Sequence, residues 1–443
     1  MKYRIYKPKK LSGRVHLPPS KSLCNRALIL NALSGAPLGY LTNISDCDDT
    51  LVILEALFLL DAEQQEHKVG QLVPAINIKA AGTAMRFLTA YLCALPQTGK
   101  HILTGTERMQ QRPIAILVDA LRSLGAKIEY VGQEGFPPLR ITGTHLRGGE
   151  LCLRGNVSSQ YISALLMIAP LLKEGLELRL KGEVVSRPYI NMTIAMMRHY
   201  GANVKWKGPK VITVQPVPYR PTPYRVEGDW SAASYWFEMS LLAGRRCEAL
   251  ALLGLFPKSL QGDSVVTEIF NHLSVVSHHV GNGDGHPTCR LVCKGWTAKH
   301  LEWDFTKTPD LAQTLVVTCA MMKIPFRFTG LQSLRIKETD RIAALQVELR
   351  KLGVQIEVEG DSVIYWNGPK RQAKGDVPYL RPAPGTVIET YDDHRMAMAF
   401  APTALVLGQI DIHHPEVVSK SYPAFWEDLI KAGFRIEELE TYE

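Results

Sequence analysis

One unit of chain recurs along this sequence and limits what it can fold into. A helical stretch closes on an apolar pair, a glycine follows, and a short alternating stretch comes next. The copies read Leu121-Arg-Ser-Leu-Gly125-Ala-Lys-Ile, Met197-Arg-His-Tyr-Gly201-Ala-Asn-Val, Leu349-Arg-Lys-Leu-Gly353-Val-Gln-Ile and Leu429-Ile-Lys-Ala-Gly433-Phe-Arg-Ile. Glycine has no Cβ to oppose a positive φ, so it closes a helix, and the alternation after it marks a half-buried strand. Weaker copies at Leu57-Phe-Leu-Leu-Asp61 and Phe270-Asn-His-Leu-Ser274 fill the gaps and put caps at 61, 125, 201, 274, 353 and 433. Spacings of 64, 76, 73, 79 and 80 residues are too long for a solenoid and suit compact α/β subdomains. Six such units are expected, as two lobes of three.

A chain of 443 residues exceeds the size at which one core keeps growing, which agrees with two lobes. Proline marks their joins. Pro18-Pro19 and the group Pro216, Pro218, Pro221 and Pro223 are poor places for a regular element and good places for a crossover. If the chain crosses at both, residues 1–19 with 226–443 form one lobe and 20–225 the other. The N-terminal strand then belongs with the C-terminal half.

Lys and Arg outnumber acidic residues 51 to 43, for a net charge of +8. The excess is diffuse, the one dense basic run is Lys7-Pro-Lys9-Lys10, and no basic block is interleaved with aromatics. Small anionic ligands are therefore favoured over nucleic acid. The opening Met1-Lys-Tyr-Arg has no apolar core for a signal peptide, and no apolar run approaches the ~18 residues of a membrane helix, so a cytoplasmic protein without a membrane partner is expected. Eight cysteines follow no disulfide framework. Cys289 and Cys293, with His278, His279 and His286 nearby, hint at zinc, but their spacing matches no strong zinc pattern and no metal is expected.

Polar side chains gather where helices should begin. Pro19-Ser20-Lys21-Ser22-Leu-Cys-Asn-Arg26 sets hydroxyls and a Lys before a helix with Arg26 one turn inside, where unpaired N–H groups and the helix dipole favour an anion. A plain Ser cap reads equally from these residues. Ala80-Ala81-Gly82-Thr83 is a small-residue run that lets backbone approach a ligand, or else lets two helices pack tightly. Arg112 stands before Pro113, a residue suited to a first helical turn. Val157-Ser158-Ser159-Gln160 offers neutral donors at a helix start, and Ser186-Arg187-Pro188-Tyr189 repeats the device. Lys337 and Arg341, spaced i,i+4 around Glu338, should share a helix face, as a ligand cluster or as a solvated surface. Asp310 precedes an apolar helix and reads otherwise as an N-cap. Asp392-Asp393-His394-Arg395 opens a small-residue helix with carboxylates at its positive end, and Lys420 lies on a loop.

In this order the segments resemble the 3-phosphoshikimate 1-carboxyvinyltransferases, the enolpyruvylshikimate-phosphate synthases, from about Pro18 to Pro423. The resemblance implies an α/β fold of six βαβαββ units in two lobes, with the active site in the cleft between them and closure over substrate. It implies transfer of the enolpyruvyl group of phosphoenolpyruvate to the 5-hydroxyl of shikimate 3-phosphate, with release of phosphate and no metal or organic cofactor. It assigns Lys21, Ser22, Arg26, Ser158, Ser159, Gln160, Ser186, Tyr189, Asp310 and Lys337 to shikimate 3-phosphate. It assigns Lys21, Gly82, Arg112, Gln160, Glu338, Arg341, Arg395 and Lys420 to phosphoenolpyruvate. Asp310 and Glu338 become the acid–base pair, with Lys21 assisting. A monomer is expected.

The charges agree with that allocation. Two substrates carrying roughly five or six negative charges cannot meet in a partly dry site without compensating cations, and seven Lys and Arg side chains of these motifs supply them. Where many members have Asn and Pro this chain has Ala80 and Phe87, and Ser333 replaces an Asn found in some relatives. These departures bear on the phosphoenolpyruvate pocket. Gly82 keeps the hydrogen side chain associated with glyphosate sensitivity, while Phe87 on the same helix could disturb that pocket. Two rivals stand beside this reading. A UDP-N-acetylglucosamine enolpyruvyl transferase would carry Lys-Asn where Lys21-Ser22 stands and a Cys shortly before Arg112-Pro113. A non-catalytic anion-binding protein would gain nothing from Asp310 and Glu338, which only weaken anion binding.

Overall fold

Among the described residues, five four-stranded sheets share one wiring: a parallel pair at one edge, followed by two antiparallel pairs. The structure is a computed structural model that describes residues 1–65, 75–281, 287–295, 298–369 and 377–439. By Cα proximity the chain separates into two compact units, Pro19–Val226 and Met1–Pro18 with Glu227–Glu443.

In the Pro19–Val226 unit, Ile76–Asn77, Lys100–Thr104, Leu139–Thr142 and Lys127–Tyr130 lie side by side in that order, as do Gly149–Arg154, Leu176–Lys181, Val211–Val214 and Val204–Trp206. A third sheet shows two parallel strands among the described residues, Leu41–Thr42 and Tyr224–Arg225. In the other unit the same pattern places Leu301–Asp304, Phe326–Thr329, Val363–Trp366 and Glu357–Glu359 together. The remaining two sheets use the N-terminus. Leu11–His16 pairs in parallel with Cys247–Leu253, and Lys2–Tyr6 fills the gap between Gln409–His413 and Arg435–Leu439.

A parallel pair needs a crossover, and a helix supplies it. These crossover helices form the inside of each unit. Gly82–Ala94, Ala312–Met321 and His394–Phe400 are buried along their whole length, Trp230–Ala243 at every residue except Ser231, and Lys21–Leu33 and Ser159–Ile168 mostly so. Within its own unit each touches another of the set, and the two hydrophobic cores are built on them.

The second helix of a unit lies outside and ends on the recurrent cap. Gly125, Gly201, Gly353 and Gly433 take φ of +99°, +89°, +75° and +109°, and Ser274 takes +80° in the same role. Asp61 is not a cap: its helix, Asp48–Gln65, continues past it, because the apolar stretch 57–60 belongs to a longer helix. Residues 216–223 contain no helix or strand, as their prolines require.

Among the described residues no helix is long and apolar enough to cross a membrane, and no group of three or more His, Cys, Asp and Glu could hold a metal ion. His279 stands opposite Cys289 on neighbouring strands, whereas His286 lies outside the described residues.

Candidate active site

Several of the candidate side chains stand at the first turns of the inner helices. In the Pro19–Val226 unit these turns carry hydroxyls, glycine and cations. In the other unit they carry Asp229, Asp310 and Asp393.

Lys21 opens helix Lys21–Leu33, with its Nζ 3.7 Å from Asp49 Oδ2. Ser20 sits at the cap position, yet its Oγ is buried and meets no hydrogen-bonding partner among the described residues, so the plain-cap reading fails there. Arg26 points into the unit at 2% exposure. Its Nε donates to Thr193 Oγ1 (2.7 Å), Nη2 to Ser163 Oγ (3.1 Å) and Nη1 to the Ser22 carbonyl (2.8 Å). Burial pushes its pKa down to about 10. Phe87 spends its ring on this guanidinium, 5.4 Å away, so it is Arg26 that the substitution touches.

Gly82 opens the next inner helix. A Cβ there would lie 2.6 Å from Arg112 Nη1 and 2.7 Å from Arg86 Nη1, so the absent side chain is what admits two guanidinium groups to the helix start. Arg86 also donates to the Gly82 carbonyl at 2.7 Å. Pro113 does not begin a helix, because the helix starts at Ala115; the Pro113 carbonyl instead accepts Tyr161 Oη at 2.6 Å. Ser158 caps Ser159–Ile168 by accepting the Gln160 amide, and Gln160 Nε2 donates to Thr83 Oγ1 at 3.1 Å, tying two helix starts together. Ser186 takes a left-handed φ of 52° before Arg187–His199 without capping it, and Tyr189 lies in the first turn.

The other unit holds a denser arrangement around Arg341, whose side chain is 1% exposed. Its Nε lies 2.6 Å from Asp393 Oδ2, Nη1 3.0 Å from Asp310 Oδ1 and Nη2 2.8 Å from Glu338 Oε2. Asp310 in turn meets Arg395 Nη2 at 3.2 Å and Lys337 Nζ at 3.5 Å. One carboxylate therefore faces three cations. Asp310 lies inside the turn Pro309–Leu311, and the cap position of the helix that follows is Leu311 rather than Asp310. Lys337 and Arg341 do not share a helix face: Asp340 caps helix Arg341–Lys351 by accepting the Ile342 and Ala343 amides, so Lys337 precedes the helix. Asp310 joins the two cations instead. Lys420 ends the 3₁₀ turn Pro415–Lys420 rather than lying on an open loop, and its Nζ donates to the Asp392 carbonyl at 2.5 Å.

Sequence reasoning missed Asp49, Arg86 and Thr83, and missed Asp393 as the buried partner of Arg341. It also missed Asp263, which accepts from Ser231 Oγ beside the first turn of Trp230–Ala243. Burial foremost, then the Asp310 charge, holds its carboxyl above the ordinary range.

The fold is that of the enolpyruvyl transferases. EPSP synthase from Acinetobacter baumannii superimposes with a TM-score of 0.74 over 99% of this chain and 100% of its own, at 24% identity. The enolpyruvyl transferase NikO from Streptomyces tendae superimposes with 0.72 over 98% of both chains at 16% identity. The family model for EPSP synthase (3-phosphoshikimate 1-carboxyvinyltransferase) matches residues 5–429, and the chain belongs to that family. The 3-phosphoshikimate 1-carboxyvinyltransferase of Bacteroides fragilis is 52% identical over 437 residues, 99% of each chain. The one from Hamiltonella defensa is 36% identical over 95% of this chain and 96% of its own.

Proposed function

We propose that the two sets of side chains serve one pair of substrates. The reaction transfers the enolpyruvyl group of phosphoenolpyruvate to the 5-hydroxyl of shikimate 3-phosphate, releasing phosphate through a tetrahedral intermediate. This is a step of the shikimate pathway toward chorismate and the aromatic amino acids.

In our reading, Ser22, Arg26, Ser158, Ser159, Gln160, Ser186, Tyr189 and Lys337 hold shikimate 3-phosphate. Gly82, Arg112, Arg341, Arg395 and Lys420 surround phosphoenolpyruvate, and Lys21 reaches both. Arg suits a carboxylate or phosphate bidentately, whereas Lys acts as a compact charge. Asp310 takes the proton of the 5-hydroxyl as its oxygen bonds to C2 of phosphoenolpyruvate, and Glu338 delivers a proton to the methylene carbon. In the second half Glu338 takes a proton back from the new methyl group, the C–H electron pair forms the C=C bond, and the C–O bond to phosphate breaks with its electron pair leaving on the phosphate. Asp310 must be ionised to take its proton and Glu338 protonated to deliver one, so the two acids divide the work only if they start in opposite protonation states.

The observation that carries this reading is the meeting of Asp310 and Glu338 on one buried guanidinium amid Lys337 and Arg395. A phosphate-release assay with both substrates tests it. Turnover is expected only with both present, and to fall by at least about a hundredfold in Asp310→Ala and Glu338→Ala. Full turnover in Asp310→Ala would remove the base from this scheme. We further propose a cytoplasmic monomer without metal, membrane or nucleic-acid partners. A light-scattering mass of two chains would overturn the oligomeric part.

A further inference from the structure

Helix Arg341–Lys351 grips the neighbouring segment 387–395 at three points, and only the first belongs to the site described above. Arg341 takes Asp393. Two turns on, on the same face, Glu348 is fully buried: Oε1 accepts Tyr391 Oη at 2.6 Å, and Oε2 accepts the Glu389 amide at 3.0 Å and Lys351 Nζ at 2.7 Å. Lys351 Nζ also donates to the Val387 carbonyl at 2.9 Å.

The gripped segment is a poor shape for an unsupported backbone. Tyr391 and Asp392 both take φ of 54°, a left-handed conformation that non-glycine residues adopt at a cost of roughly 1 kcal/mol or more each and keep only where their surroundings hold them. This turn aims the Asp392 carbonyl at Lys420 Nζ and delivers Asp393 and Arg395 to the next helix. The Tyr391 phenol stays a donor, since burial and the Glu348 carboxylate both raise its pKa.

We propose that Glu348 is a positioning residue for phosphoenolpyruvate binding: through Tyr391 and the Glu389 amide it sets the left-handed turn that places Lys420 and Arg395. This rests on the reading in which those two cations hold phosphoenolpyruvate. Glu348 itself touches neither substrate.

The experiment compares Glu348→Gln, Tyr391→Phe and Lys420→Met by steady-state kinetics with each substrate varied. Glu348→Gln is expected to raise KM for phosphoenolpyruvate about tenfold, and Tyr391→Phe about threefold, with KM for shikimate 3-phosphate within about twofold in both. Should Glu348→Gln not fold, Tyr391→Phe, which removes one hydroxyl from a residue that is 38% exposed, decides. Unchanged KM for phosphoenolpyruvate, or equal rises for both substrates, would overturn the positioning role while Lys420→Met still raises KM for phosphoenolpyruvate. If Lys420→Met leaves that KM unchanged, the site reading fails first and the inference falls with it.

Discussion

Arg341 Nε and Asp393 Oδ2 lie 2.6 Å apart with side chains 1% and 0% exposed. The other Asp393 oxygen accepts the Arg395 amide at 2.9 Å, so the carboxylate is fixed from two sides and turns Nη1 and Nη2 toward Asp310 and Glu338. Asp393→Asn keeps the cap but takes a charge from the buried guanidinium, which then draws harder on the two remaining acids. We expect turnover to fall about a hundredfold and stability by about 3 kcal/mol, read from phosphate release and urea unfolding.

Arg26 is buried among Thr193, Ser163, the Ser22 carbonyl and the Phe87 ring, a neutral surrounding that lowers its pKa. A cation kept there costs the empty protein stability that a bound dianion would return. Arg26→Met should therefore leave the melting temperature unchanged or raise it by a few degrees, while shikimate 3-phosphate binding weakens at least about a hundredfold. Calorimetric melting and titration check the two halves. A Met variant that binds as tightly as the native chain would remove Arg26 from the phosphate site.

The parts legible in the sequence are those dictated by one residue's own backbone. Gly125, Gly201, Gly353 and Gly433 announce their helix ends because only a positive φ explains a glycine there. Asp61 misled because apolar spacing alone does not distinguish a helix end from its middle. The break before Arg341 was readable in principle: Asp340 followed by Arg-Ile-Ala-Ala is a cap signal, overlooked beside the charges around it. What no spacing discloses is pairing across distance. Arg341 meets Asp393 52 residues away, and Lys21 meets Asp49 only because two helix starts adjoin.

Gly82 is where one methyl group should change ligand binding without unfolding anything. The atoms in its way are the ends of Arg112 and Arg86, which can swing aside, so Gly82→Ala should cost under about 1 kcal/mol of stability. The displaced guanidinium groups then meet phosphoenolpyruvate less well. KM for phosphoenolpyruvate should rise about tenfold with KM for shikimate 3-phosphate unchanged, and inhibition by glyphosate, measured in competition with phosphoenolpyruvate, should weaken further. Equal effects on both substrates would contradict a local displacement.

Asp263 gives the fold a pH dependence whose sign is unusual for a carboxylate. Burial first, and the Asp310 charge second, raise its pKa to about 7, against an ordinary value near 4. A carboxyl raised in the fold is favoured there in its protonated form. Its contribution to stability is complete below about pH 4 and is lost as the pH climbs to about 7, since the unfolded chain releases the proton first. Asp263→Asn keeps a neutral side chain beside Ser231 and has no proton to lose. The variant's stability relative to the native chain should therefore increase steadily between pH 4 and 7, by about 4 kcal/mol for a shift of that size, and level off above. Urea unfolding of both proteins across that range measures it. A difference that is flat with pH would mean that Asp263 is ionised in the fold throughout, and that Asp310 shares its surroundings with a second full negative charge.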